Sequence, residues 1–79
     1  MRIDKYLKVS RLIKRRTVAN AACDAGKIQI NGRVAKPGDN VKAGDTISIE
    51  FKGDVTNYEV TSIQEHVGKD GASELYRRI

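Results

Sequence analysis

Apolar and polar residues follow two different periods along the chain, and the change from one to the other divides it. Ile3 and Leu7 stand four apart with Tyr6 three after Ile3, a spacing that predicts a short amphipathic helix over residues 3–9. Asp4 falls in its first turn, where a carboxylate suits the positive end of the helix dipole. Ser10 interrupts the pattern, and Leu12 and Ile13 follow between flanking cations, so a bend is expected rather than one long rod. Thr17 reads as the N-cap of a second helix running to Ala25, with Gly26 in the left-handed position just past its end. The apolar positions of that helix, Val18, Ala21, Ala22 and Ala25, are small and let a neighbouring backbone approach closely.

From Lys27 the period becomes two. Ile28 and Ile30 share one face, Lys27 and Gln29 the other, and Asn31-Gly32 is a strong type I′ hairpin signal leading into Arg33-Val34-Ala35. Loops follow at Pro37-Gly38, Asp39-Asn40 and Lys42-Ala43-Gly44-Asp45. Thr46 to Phe51 alternates, with Ile47, Ile49 and Phe51 inward; Lys52-Gly53-Asp54 turns the chain, and Val55 to Ile63 returns as a strand. After the polar break Gly68-Lys69-Asp70-Gly71, the positions Ala72, Leu75, Tyr76 and Ile79 have helical spacing and predict a short terminal helix. The fold class is therefore α+β: a helix pair, then a small, mostly antiparallel sheet, then a short C-terminal helix. A single domain spans 1–79, with 1–36 the basic helix pair and first hairpin, 37–63 the remaining strands, and 64–79 the loop and terminal helix.

Composition narrows the function. Seventy-nine residues leave room for one small core and no separate catalytic domain. The single cysteine, Cys23, excludes an internal disulfide, and no second cysteine stands at metal-ligand spacing. Lys5, Lys8, Arg11 and Lys14 interrupt every apolar run near the start, so no signal-peptide core or membrane span can be drawn, and a soluble cytoplasmic protein is expected. The net charge of +5 is unevenly distributed: residues 1–36 hold ten basic residues against two acidic ones, whereas residues 37–79 hold five against eight. A surface kept basic for solubility intersperses both signs. This one does not, and its partner is read as a polyanion, nucleic acid rather than membrane, because no helix pairs the cations with a long bulky apolar face.

Catalytic chemistry finds little support. His66 is the only histidine and has no positioned partner beyond its neighbour Glu65, so it reads as an exposed loop residue. Cys23 lies in an alanine-rich helix and reads as a small packing residue. The glycines mark turns and form no phosphate-binding loop, and neither cofactor nor metal is implied. The cations are more informative. Arg11, Lys14 and Arg15 are three and four apart and project together if their stretch is helical. Arg16 sits where the second helix starts, so its charge adds to unpaired backbone N–H groups for a phosphate; Arg2 joins it if the helices pack side by side. With no aromatic stacking motif of the RNP kind, recognition is expected to rest on backbone shape rather than base sequence.

These residues resemble a known family. The run from Met1-Arg2-Ile3-Asp4-Lys5-Tyr6-Leu7 through Arg15-Arg16-Thr17-Val18-Ala19, then Gly26-Lys27-Ile28-Gln29-Ile30-Asn31-Gly32 and Lys36-Pro37, is similar to the RNA-binding module first described in small-subunit ribosomal protein four. In that family two helices and a hairpin, the αL RNA-binding motif, present a basic surface to structured RNA. Ala72-Ser73-Glu74-Leu75-Tyr76 is similar to the segment ending the core of the stand-alone branch, which holds the ribosome-associated fifteen-kilodalton heat-shock protein and the quality-control (RqcP) proteins. Lys8 to Arg16 and a chain ending at Ile79, without a long basic extension, look more like the quality-control members.

The resemblance implies a non-enzymatic factor that binds large ribosomal subunits obstructed by peptidyl-tRNA, contacts large-subunit rRNA and tRNA, and supports C-terminal alanine tailing beside the tailing factor RqcH. It also implies contact residues: Arg2, Arg11, Lys14, Arg15 and Arg16 first, Lys5, Lys8 and Lys36 second. A monomer is expected. The alternative is heat-shock type recycling of large subunits, or ribosome assembly, and a small RNA-modifying enzyme is disfavoured by the absence of a catalytic domain.

Overall fold

The computed structural model describes residues 1–64 and 75–79. The first helix, α1, runs from Ile3 to Val9 and buries Ile3, Tyr6 and Leu7, the positions its periodicity selects. It stops at Ser10, which is buried and donates its hydroxyl hydrogen to the Leu7 carbonyl at 3.3 Å. Arg11 then takes a left-handed φ of 63°, and the amides of Arg11 and Ile13 close onto the carbonyls of Lys8 and Leu7. Residues 10–14 are thus turn and bend, Arg15 is extended, and Arg11, Lys14 and Arg15 do not share a helical face as their spacing suggests.

The second helix, α2, spans Arg16–Asp24 and starts two residues before its expected first position, Val18. Arg15, extended at φ −126° and ψ 138°, occupies the N-cap and makes no side-chain capping bond; Thr17 lies inside the first turn, so it is not the cap. A tertiary contact sets this register. Arg16 and Asn20, one turn apart, both donate to Asp4 on α1. That choice turns Ala19 and Cys23 into the core and leaves Val18 about half exposed, so the face that packs is not the 18, 21, 22, 25 stripe; of those four only Ala22 packs against the core. At the far end Gly26 is left-handed at φ 76°, as expected of a residue that closes a helix.

Five strands follow: β1 Ile28–Ile30, β2 Arg33–Val34, β3 Thr46–Phe51, β4 Asp54–Val60 and β5 Tyr76–Arg78. They form one antiparallel sheet in the order β2-β1-β3-β4-β5. Asn31 and Gly32 both have positive φ, 52° and 82°, the type I′ geometry that their sequence foretells. Asn31 does more than turn the chain. Its amide donates to Asp45 at 3.1 Å and its oxygen accepts from the Thr46 amide at 2.9 Å, fastening the β1–β2 turn to the start of β3. Ile28, Ile47 and Val60 are buried, with the helix residues completing one core that also takes in Ala35, Val41 and Leu75.

The C-terminal segment departs from its expected helix. Tyr76–Arg78 is a strand paired with β4, and the Leu75 carbonyl ahead of it accepts from Thr61 and from the buried Tyr6 hydroxyl at 2.5 Å. An eight-residue helix is marginal by itself, whereas a strand here satisfies the edge of β4 and lets Leu75 enter the core. The earlier part of that expected helix, with His66 and the polar break, lies outside the described residues. β4 ends at Val60, short of Ile63. Phe51 is 69% exposed rather than inward, because the hairpin that carries it runs past the core.

Candidate nucleic-acid interface

The start of the chain is clamped before α1 begins. The Ile3 amide donates to the Asp39 carbonyl at 2.7 Å, the Val41 amide to the Met1 carbonyl at 2.8 Å, and Arg2 forms a bridge with Asn40. Arg2 therefore leaves a fixed backbone. Two residues on, the carboxylate of Asp4 is almost fully buried. It accepts from the Lys5 amide at 2.7 Å, Arg2 at 3.2 Å, Arg16 at 3.3 Å and Asn20 at 3.5 Å. Burial alone would raise its pKa, but the hydrogen bonds from Arg16, the Lys5 amide and Asn20 outweigh it and hold the carboxyl below its ordinary value. Asp4 is therefore an anion at neutral pH.

One buried charge thus gathers two arginines from opposite sides of the helix junction. The side chains of Arg2 and Arg16 remain 52% and 47% exposed, so each guanidinium spends one edge on Asp4 and keeps further N–H donors toward solvent. Two arginines on one carboxylate leave a net positive charge, pre-oriented for bidentate contact with phosphate. A shallow concavity beside them is lined by Arg16, Thr17 and Asn20. The first turn of α2 carries no acidic residue and no side-chain cap, so its positive dipole end adds to this field. From the sequence alone Asp4 has only a dipole role. Its burial and its reach to residue 16 are tertiary facts that no spacing displays.

The other expected contact residues spread from this centre. Arg11, Lys14 and Arg15 are exposed on the α1–α2 connection. Lys8 is exposed in the last turn of α1, and Lys5 is half-buried beside Asp4. Lys36 is exposed in the turn closed by the Asp39 carboxylate, which accepts its backbone amide at 2.9 Å. Cys23 is buried, and burial with the nearby charges of Asp4, Asp24 and Asp39 pushes its thiol up to about 11, which removes the nucleophilic thiolate at neutral pH. Among the described residues no group of three or more His, Cys, Asp or Glu side chains is placed to hold a metal, and no helix is long and apolar enough to cross a membrane.

With this geometry in hand, comparison with known proteins is decisive. The S4 domain family matches residues 1–47, the helix pair, the first hairpin and the loop leading into β3. The RQC P-site tRNA stabilizing factor of Halalkalibacterium halodurans is 53% identical over 76 residues, covering 96% of this chain and 86% of that protein. The chain belongs to the S4-domain family, in the branch of these stabilizing factors. A factor of the same name from Listeria monocytogenes is 50% identical over 96% of this chain and 83% of its own length. Among solved structures, trimeric Heat Shock Protein 15 of Vibrio cholerae matches with a TM-score of 0.91 and 31% identity, over all of this chain and 81% of that one. The S4-type module thus continues into the same five-stranded sheet in both branches of the family.

Proposed function

We propose that this protein is a non-enzymatic RNA-binding factor of ribosome-associated quality control. It binds large ribosomal subunits that still carry peptidyl-tRNA, contacts rRNA and tRNA through the face centred on Arg2 and Arg16, and steadies the tRNA while the stalled chain receives its C-terminal alanine tail. An alanine-tailing factor, RqcH, works beside it in the cytoplasm. The observation that carries this reading is the buried Asp4 with Arg2 and Arg16 fixed on it. Such a pair binds backbone phosphates of a defined shape without reading bases, which is what holding a tRNA against rRNA requires. Lys8, Arg11, Lys14, Arg15 and Lys36 extend the field around it, and the names of the relatives supply the ribosomal setting.

The likeness to Heat Shock Protein 15 favours a second reading, recycling of large subunits or their assembly. Native purification of the tagged protein, with sequencing of bound RNA and mass spectrometry of bound proteins, separates the two. Large-subunit rRNA together with tRNA and an alanine-tailing factor is expected. Large subunits without tRNA would replace the first reading by the second, and absence of RNA would overturn both.

A further inference from the structure

At the opposite end of α2 from Arg16 the sheet carries an arm that the RNA-binding face does not use. β1 pairs with β3 only as far as Ile49, and β5 pairs with β4 only from Tyr58 onward. The last sheet bonds on either side run from the Glu50 amide to the Lys27 carbonyl and from the Ile79 amide to the Asn57 carbonyl. Glu50 is thus the last residue held from the side; its partner Val55 has no neighbour on the β5 side, the final Phe51–Asp54 rung has none on either side, and every residue from Glu50 to Val55 is exposed. Phe51 is on the face shared by Ile47 and Ile49, whereas Val55 is on the other, so the arm is apolar on both sides. Lys52 forms its tip, with Nζ 5.4 Å from the centre of the Phe51 ring. It holds φ at 52°, in the turn position that Asn31 fills in the other hairpin and that a lysine adopts only at a cost in strain.

A single exposed apolar residue needs no explanation. Two large ones on opposite faces of the projecting end of a hairpin are a surface made to be covered. Charge decides by what. Glu50 and Asp54 outnumber Lys52, so the arm repels phosphate where the helix face attracts it. We propose that the β3–β4 arm inserts into an apolar cleft with a basic rim on a protein partner, Phe51 and Val55 packing against its two walls and the two carboxylates meeting its cations. This contact is separate from the RNA-binding face and does not rest on the quality-control reading.

The test places a benzophenone-bearing phenylalanine at position 51 in living cells and maps what it captures on irradiation. The expected product is a protein crosslink on a peptide whose apolar residues are flanked by Lys or Arg. Its yield should fall roughly threefold or more in an E50K/D54K background, because the reversed charges now face the basic rim. Excess wild-type protein without the benzophenone should compete the crosslink away, whereas an F51S/V55T double variant should not, while its thermal midpoint and affinity for tRNA stay unchanged, since the arm lies outside the core. A crosslink to RNA, no crosslink, or a yield that holds or rises on charge reversal would overturn the proposal. Loss of tRNA affinity on Arg16→Ala reports on the other face and leaves this one standing.

Discussion

Asp4 reaches across the helix junction to Arg16, its Oδ1 3.3 Å from the guanidinium nitrogen, and with this one contact fixes both the packing of α2 on α1 and the direction of the arginine. Asp4→Asn keeps the shape and removes the charge. It should lower stability by about 1–2 kcal/mol, toward the smaller end because both arginines are half in water, and weaken RNA binding as well. Thermal denaturation and a tRNA-binding titration on the same sample measure the two effects.

The same carboxylate makes stability depend on acid. Its pKa is lowered on folding, so its contribution is complete above the ordinary value of 3.8 and is lost as pH falls through the lower folded value. The melting temperature of the wild type should therefore drop more steeply below pH 4 or so than that of Asp4→Asn. Parallel curves for the two proteins would remove Asp4 from the titration.

Much of this architecture is legible in the sequence, and the exceptions share a cause. The first helix, the break at Ser10, the Asn31-Gly32 turn and the alternation of β3 follow from local spacing and turn chemistry, which the tertiary structure leaves intact. The start of α2, its packed face and the strand at Tyr76–Arg78 are decided by distant partners, namely Asp4 for the helix and the edge of β4 for the tail. Leu75 and Tyr76 fit a helical spacing as well as a strand, and pairing resolves the choice. For the site, bringing Arg2 and Arg16 together requires side-by-side helices, which the structure supplies, while the buried carboxylate between them carries no local signal.

Arg11 pairs a strained backbone with an exposed charge, so removing its side chain should act in opposite directions on folding and on binding. Arg11→Gly relieves a left-handed φ worth about 1 kcal/mol, partly offset by the greater freedom of glycine in the unfolded chain. The variant should melt no lower than the wild type and bind tRNA more weakly. A variant that melts lower would show that the arginine side chain holds the turn.

Cys23 should be inert in the native protein. Iodoacetamide at pH 7.5 is expected to modify it only at the rate of unfolding, because the thiol is buried and its pKa is pushed up to about 11. In alkali the sign is opposite to that for Asp4: the contribution of the neutral thiol is complete below its ordinary value of 9.0 and is lost as pH rises through about 11. Cys23→Ala should flatten that part of the stability profile, and prompt alkylation of the folded chain would contradict the burial.

The central claim is that Arg2 and Arg16, held on Asp4, make phosphate contacts with RNA. It is tested most directly by measuring tRNA affinity as a function of salt for the wild type, Arg2→Ala and Arg16→Ala. Each replacement should weaken binding and reduce the slope of log K against log salt by about one phosphate contact. Unchanged affinity and slope in both variants, with melting temperatures intact, would place the RNA elsewhere on the molecule.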